Sequence, residues 1–517
     1  MNNDISIAFH FHESTKHSYL SVRTDRYYLD WSNFPYFFKI YEDVQSVELP
    51  KEFPKPREKA LDAASSKSKV NKDNINLNTI AELLYFTAGI SRITNFGNEK
   101  YYFRVAPATG ALYSTELYLF NCDLQDLEAG VYHFDPYNFR LNVLRKGDYR
   151  KILSEISNEQ DISQAPISIV LTSLGWRNVW KYRKRSYRHW FWDSGAMTAN
   201  LLAVANAEGL EYKIVTGFVD EQLNKLLGLD GKKECALSII AIGPREYVSQ
   251  NYATDFKEIN HRVKPLSKKE VEYEEIYNLH YNSSLKDIKE LKEWKSNAAK
   301  PLKYEHSQLK DFANLRFSDD DSDELWKVIL RRGSTRRFSR EPISLLALSK
   351  ILEKAMSPLN ADFLGDSANS LIDIFLIAND VEDLESGAYH YDKERRVVEV
   401  LKKGKFRNLA SYLCLEQELA GDASVVFFLM TDLKKVLEKY GNRGYRLCNY
   451  EAGIRAGMIY LAAYSLNLGA TGLTFYDDDV IDFFSPHAKD RQNMLVVAVG
   501  IPAYKAKMGK IYTDLGL

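Results

Sequence analysis

Two lysine-tyrosine pairs, Lys181 with Tyr182 and Lys439 with Tyr440, are the residues of this chain best suited to moving protons. Each pair opens a matching stretch, KYRKRSYRHWFWDSG over residues 181–195 and KYGNRGYRLCNYEAG over residues 439–453. Adjacent lysine and tyrosine place two high-pKa proton carriers side by side, and burial or a neighbouring cation can bring either toward neutrality. The same two residues would equally suit a helix start, as an exposed cation beside a core aromatic. A second cluster, Arg332-Gly-Ser334-Thr-Arg336, follows one helical run and precedes Pro342 and another. Guanidinium groups give forked, charge-assisted bonds and the backbone amides beside glycine are open, so this turn suits a phosphate monoester, or else a solvated basic turn. Lys16-His17-Ser18 shows the same order of cation, spacer and hydroxyl. A third stretch, Pro107-Ala108-Thr109-Gly110, is a small-residue turn that lets a flat ring approach the backbone, or a plain loop.

These residues sit on a chain that repeats itself. Residues 117–150 and 374–407 align without a gap at a shift of 257, Gly387 over Gly130, with 14 of 34 residues identical. The shared residues include Asp-Leu-Glu-x-Gly-x-Tyr-His-x-Asp and Leu-x-Lys-Gly. Solenoid units recur every ~20 to 50 residues, so copies this far apart are whole domains. Two equal domains on one chain imitate the subunits of a two-fold dimer, and a ligand bound across their shared face has two related sites that can decay separately.

The pattern in the first copy predicts a strand over 117–120, a hairpin of 131–134 with 141–144, a strand over 167–171 and a helix-rich stretch over 176–210. A strand over 212–215, a short helix over 221–227 and a strand over 237–242 follow, and the second copy repeats this plan through 425–430, 445–466, 470–475, 480–484 and 495–499. Strands separated by helices, with one hairpin inserted, make an α+β sandwich. Residues 29–56 read as an extended arm and 62–76 as a polar loop. Asn78 and Thr79 are expected to cap a helix over 80–90. Residues 262–322 read as a Lys/Glu-rich helical connector whose Ser-Asp-Asp-Asp-Ser-Asp end caps the next helix, 324–331, through its dipole.

Composition excludes several classes. At 45% hydrophobic and 27% charged the chain is an ordinary globular one. A net charge of -1 argues against a nucleic-acid partner, which would call for a basic excess. Cys122, Cys235, Cys414 and Cys448 stand far apart with no zinc spacing, as reduced thiols of a cytosolic protein do. The first residues carry no signal pattern, and the most apolar helical run, 456–473, is interrupted by Tyr460, Tyr464, Ser465 and Asn467. It reads as a buried helix rather than a membrane span, and a cytoplasmic location is expected.

Taken together, Arg332-x-Ser334-x-Arg336 before Phe338, the turn from Pro107 to Tyr113, the Gly-x-Tyr-His-x-Asp hairpins and the Lys-Tyr segments resemble the nitroreductase-like flavoproteins. Within them they resemble the SagB or thiazoline-oxidase branch of peptide dehydrogenases. The resemblance implies two fused nitroreductase-like α/β sandwich domains forming an intramolecular pseudo-dimer. Its parts would be an N-terminal arm with a first flavin-contact segment (1–74), a first domain (75–262), a helical connector (263–322) and a second domain (323–517). It implies FMN between the halves, with Arg332, Ser334 and Arg336 on the phosphate and ribityl and Pro107, Ala108, Thr109 and Gly110 against the ring. A mirror site would use Lys16, Ser18 and the Thr216-Gly217-Phe218 loop with residues 367–369, but it lacks the partner proline and glycine. Against the composite site, the loop matching Gly217 in the second half carries Leu473 and Thr474, so both clefts stay candidates.

By the same resemblance, Lys439 and Tyr440, or Lys181 and Tyr182, help remove a ring proton while hydride passes to the flavin N5, turning thiazoline or oxazoline into azole with dioxygen as oxidant. The implied partners are a peptide or related small substrate and a cyclodehydratase, with no nucleic acid and no membrane. The chain would be a monomeric pseudo-dimer or a low-order homo-oligomer. An NAD(P)H-dependent nitro or quinone reductase on the same fold is one alternative, and a flavin-free scaffold or peptide-recruiting subunit is another. The hairpin histidines, His133 and His390, read as structural and hydrogen-bonded.

Overall fold

The computed structural model describes residues 2–65, 75–97, 99–300, 311–318, 321–366 and 369–515. The expected polar loop 62–76 and the segment 367–369 fall partly outside them. Two seven-stranded antiparallel sheets carry the described chain. The first orders its strands Ser46–Glu48, Arg140–Lys146, Gly130–Asp135, Thr115–Asn121, Ile167–Leu174, Glu234–Ile242, Tyr212–Val215. The second repeats that order as Phe312–Asn314, Val397–Lys403, Gly387–Asp392, Asp373–Ala378, Val425–Thr431, Gln492–Gly500, Gly469–Leu473. Pairing agrees residue by residue: Tyr118 faces His133 as Phe375 faces His390, and both hairpins bulge at one place, between Val131 and Tyr132 and between Ala388 and Tyr389.

Some local expectations are corrected. The arm supplies an edge strand, Ser46–Glu48, and the connector supplies its counterpart, Phe312–Asn314. Each is three residues long and gains its order from the neighbouring strand rather than from its own pattern. A ribbon of Ile90–Phe96 with Glu99–Arg104 stands outside both sheets. The cap of the helix Leu77–Ala88 is Asn76, whose Oδ1 accepts the Thr79 N–H at 3.0 Å. Of the described part of the acidic run, Asp321 pairs with Lys59 at 2.9 Å and Asp323 with Arg331 at 2.6 Å, and Glu324, at the N-cap of Leu325–Arg331, makes no side-chain capping bond.

The halves meet along two long, buried central helices, Ser186–Ala207 and Arg443–Ser465. They cross at a pair of glycines. A Cβ on Gly195 would stand 2.3 Å from the Tyr450 carbonyl oxygen, and one on Gly453 would stand 2.4 Å from that of Trp192. Buried ion pairs clamp the crossing from both sides. Asp477 of the second half accepts from Arg185 at 3.0 Å and Arg188 at 2.9 Å, while Asp220 of the first half accepts from Arg443 at 2.7 Å and Arg446 at 2.6 Å. These four arginines are the ones shared by the two Lys-Tyr segments, so much of what the repeat has kept there is the seam of the pseudo-dimer. Among the described residues no helix is long and apolar enough to cross a membrane.

Candidate active site

A cleft of about 790 Å³ opens between the halves. Pro107, Ala108, Thr109, Gly110, Lys181 and Tyr182 line it from the first half, and Arg332, Ser334 and Arg336 from the second. The small-residue turn is organised by Gly110, whose φ of +60° lies in the left-handed region that favours glycine. A Cβ there would stand 2.7 Å from the Tyr182 hydroxyl and 3.4 Å from Lys181 Nζ, so the turn packs directly on the lysine-tyrosine pair. Desolvation and then Arg336 bring the Lys181 ammonium down from its ordinary value. Burial, followed by Asp193, pushes the Tyr182 phenol up and keeps it protonated, with Arg336 opposing.

Asp193 fixes the turn from behind, accepting the Thr109 N–H at 2.8 Å and the Thr109 hydroxyl at 2.6 Å on Oδ1. The Asn178 amide reaches its Oδ2 at 3.4 Å. Burial pushes this carboxyl up to about 6 against those bonds. Sequence reasoning missed Asp193, together with His189 and Trp192. The available signal was helical spacing, since His189, Trp192, Asp193 and Ala196 share the cleft face of the first central helix.

The turn from the second half divides its work. Arg332 is buried and donates from Nε to the Val105 carbonyl and from Nη2 to the Arg104 carbonyl, both at 2.9 Å. It is a strut joining the two halves just ahead of Pro107. The Ser334 hydroxyl bonds to Tyr460, whose hydroxyl accepts the Gly472 N–H at 2.6 Å. Arg336 is exposed at the cleft, with its own N–H donated to the Tyr504 hydroxyl at 3.0 Å.

Lys16, Ser18, Gly217, Lys439 and Tyr440, the residues of the mirror set, do not line this cleft and are engaged elsewhere. The connector helix Ile288–Ala298 inserts Trp294 between Gly217 and the second lysine-tyrosine pair: a Cβ on Gly217 would stand 2.5 Å from the indole, whose Nε1 donates to the Tyr440 carbonyl at 3.3 Å. Asp362 accepts the Gly217 N–H at 2.8 Å. Lys439 donates to the Ala298 carbonyl at 3.1 Å, to that of Lys300, and to the Tyr440 hydroxyl at 2.8 Å. Burial brings its ammonium down to about 8. Tyr440 in turn donates to the Phe363 carbonyl at 2.6 Å. Lys16 is paired with Glu13 and Asp478, each at 2.7 Å, and Ser18 caps the helix Tyr19–Thr24. The polar atoms of this set serve the fold. His133 does too: it is fully buried, with Nε2 3.0 Å from Glu116 and Nδ1 3.2 Å from the Asn142 amide.

A duplicated α+β sandwich with one cleft shared between its halves, basic on one wall and small-residued on the other, defines a fused pseudo-dimeric class of protein. The family model "Nitroreductase family" matches residues 62–244 and 329–501, more than half of the chain. The chain belongs to that family, in two tandem copies, and is an oxidoreductase of the nitroreductase-like flavoprotein superfamily. Over 176 residues it is 28% identical to a Methanocaldococcus jannaschii protein described as a nitroreductase, covering 33% of this chain and 88% of that one. Over 148 residues it is 26% identical to the Escherichia coli microcin B17-processing protein McbC, covering 27% of this chain and only 54% of McbC. The crystal structure of an Anabaena variabilis protein, also described as a nitroreductase, matches 96% of this chain and 99% of its own with a TM-score of 0.75 at 23% identity. That likeness shows the same fold across both halves.

Proposed function

We propose that the protein is an FMN-dependent dehydrogenase that oxidises thiazoline- or oxazoline-type rings in a peptide or related small substrate to azoles, with dioxygen as oxidant. The observation that carries this reading is the composite cleft, where Lys181 and Tyr182 touch the Gly110 turn and Arg336 acts on Lys181 from the other half. The residues fit FMN. A Cβ on Gly333 would meet only the Tyr464 hydroxyl, at 3.7 Å, so the turn leaves open backbone near the exposed Arg336 for a phosphate monoester. The turn at Pro107 to Gly110 offers a flat ring its backbone. The likeness to McbC, a microcin B17-processing protein, supports a peptide substrate, and the cyclodehydratase that would form the ring is part of the proposal.

Bound FMN would supply the redox chemistry, taking a hydride from the ring carbon and returning two electrons to dioxygen. The remaining steps belong to the chain. Lys181, at the Gly110 turn and with its ammonium brought down from its ordinary value by burial and Arg336, is the group assigned to take the ring proton that leaves with the hydride, so the substrate loses one hydride and one proton in all. Tyr182 stays protonated and donates a hydrogen bond to a ring heteroatom. Arg332 and Asp193 hold the two turns at their spacing.

The test is to purify the protein, titrate it with FMN and offer a thiazoline peptide. The expected outcome is a yellow protein bleached anaerobically by the peptide, with a product two hydrogens lighter. Bleaching by NADPH without peptide turnover would favour the nitro or quinone reductase, and a colourless protein that takes up no FMN would sink both enzyme readings. Arg336→Ala is expected to weaken FMN roughly ten- to hundredfold, the worth of a charge-assisted hydrogen bond. Gly110→Trp, in the other half, should release the flavin as well. Full occupancy in both variants would refute a cofactor bridging the halves.

Asp193 adds a pH dependence with two signs. As pH falls through about 6 the carboxyl takes a proton and grips Thr109 less, so FMN affinity drops. Because its folded pKa is raised, its contribution to stability runs the other way, greatest below the unfolded value of about 3.9 and lost as pH rises through about 6. Flavin titrations and thermal melts over this range, with Asp193→Ala as the flat control for both, check the pair of trends.

A further inference from the structure

His189 has no part in the chemistry above. It lines the cleft, is 3% exposed, and neither Nδ1 nor Nε2 has a hydrogen-bond partner. The other buried histidines among the described residues, His12, His133 and His280, each have at least one. The ring is clasped between Tyr182, at 4.3 Å between centroids and 37° between planes, and Trp192, at 4.7 Å and 29°. Burial, followed by Arg185 and Arg188, holds it well below its ordinary pKa, so the imidazole is neutral and carries one N–H donor and one bare lone pair. A polar atom buried without a partner destabilises the fold, a cost that phenylalanine in the same stacked slot would not carry. A stacked, neutral donor and acceptor beside Tyr182 is therefore matched to something other than the fold.

We propose that His189 is a positioning residue of this cleft, which reads the polar edge of a flat heterocycle through one of its ring nitrogens, giving an N–H to an acceptor there or taking one from a donor. This rests on the reading of the cleft as a flavin and azoline site. Two rings offer such an edge: the cyclic imide of the flavin, and an azoline flanked by peptide amides. Their recognition chemistry is shared, and separate measurements tell them apart. His189 is not the proton carrier, because burial and then Arg185 and Arg188 oppose its protonation.

The test compares the full chain with His189→Phe, which keeps the stack without the nitrogens, and His189→Asn, which restores a donor and an acceptor. The melting temperature without FMN, the FMN Kd, and KM and kcat for a short thiazoline peptide are measured for each. For His189→Phe the melting temperature is expected to rise while binding weakens about tenfold, with partial recovery in His189→Asn. The loss falls on the FMN Kd if the flavin edge is read, or on KM with kcat and FMN Kd kept if the substrate edge is read. A merely structural histidine would instead lower the melting temperature of His189→Phe and leave both constants alone. Unchanged FMN Kd and KM in that variant overturn the proposal, whatever its melting temperature. If the wild type binds FMN but turns over no thiazoline, the FMN Kd alone decides. A wild type that takes up no FMN removes the cofactor reading and this one with it, whereas a flavin-loaded wild type beside an unaltered His189→Phe removes only this one.

Discussion

Asp477→Ala is expected to destabilise the protein by ~3–5 kcal/mol, because it leaves two buried guanidinium groups without their counter-charge. Arg185 and Arg188 come from the first half and Asp477 from the second, so the loss falls on the seam itself. The N-terminal arm is tied to the same arginines. Arg185 donates to the Thr15 carbonyl, and Arg188 to the His12 carbonyl at 2.9 Å and the Thr15 hydroxyl at 2.8 Å. Loosening the clamp should therefore free the helix Ser6–Ser14 as well. Burial alone would raise the Asp477 carboxyl, but Arg185 and Arg188 outweigh it and hold the group well below the usual carboxylate range. A depressed folded pKa means that this stabilisation is fully present above the unfolded value of about 3.9 and is lost as pH falls below it. Asp220, its counterpart, is lowered in the same way by Arg443 and Arg446 against burial. Urea denaturation at neutral pH and near pH 3 should show a large loss on acidification in the wild type and a smaller one in Asp477→Ala. Equal stability of variant and wild type at neutral pH would show that the triad contributes nothing.

The repeat made the two-domain plan readable, because strands buried in a sheet core keep their apolar runs in both copies. It could not reveal Ser46–Glu48 or Phe312–Asn314, since three residues carry no period and these segments are ordered by their neighbours. The site was readable as residue types: an arginine-hydroxyl-arginine turn, a small-residue turn and a lysine-tyrosine pair. Its asymmetry was not. Lys181-Tyr182 and Lys439-Tyr440 are equal in the repeat, and what separates them is Trp294, carried by the connector helix Ile288–Ala298. Asp193 shows the same limit. Its equivalent is Glu451, which accepts the Leu371 N–H at 2.8 Å and the Ser370 hydroxyl at 2.6 Å and pairs with Arg455, so one aligned position holds two carboxylates that do different work. Retention in both copies, which at first pointed to chemistry, points at Arg185 with Arg443, Arg188 with Arg446 and Gly195 with Gly453 to the interface.

The glycine crossing yields a prediction whose sign alone decides it. Alanine is the better helix former by ~1 kcal/mol, so Gly453→Ala in an uncrowded helix would stabilise. Here the new Cβ would stand 2.4 Å from the Trp192 carbonyl oxygen and 2.9 Å from that of Phe191, and backbone cannot turn aside as a side chain can. The two central helices must part, and the expected outcome is a net loss of ~3 kcal/mol or more, at the upper end of what overpacking a core costs. Gly195→Ala should do the same, its Cβ meeting the Tyr450 carbonyl oxygen at 2.3 Å. Function is expected to fall with stability, because the first central helix carries His189 and Asp193 into the cleft and the second carries Tyr460 and Ala456. Thermal melts and flavin titration of both variants provide the check. A melting temperature at or above the wild type's would mean that the helices do not meet as closely as their glycines require, and with that the pseudo-dimer would lose the contact that aligns its two halves.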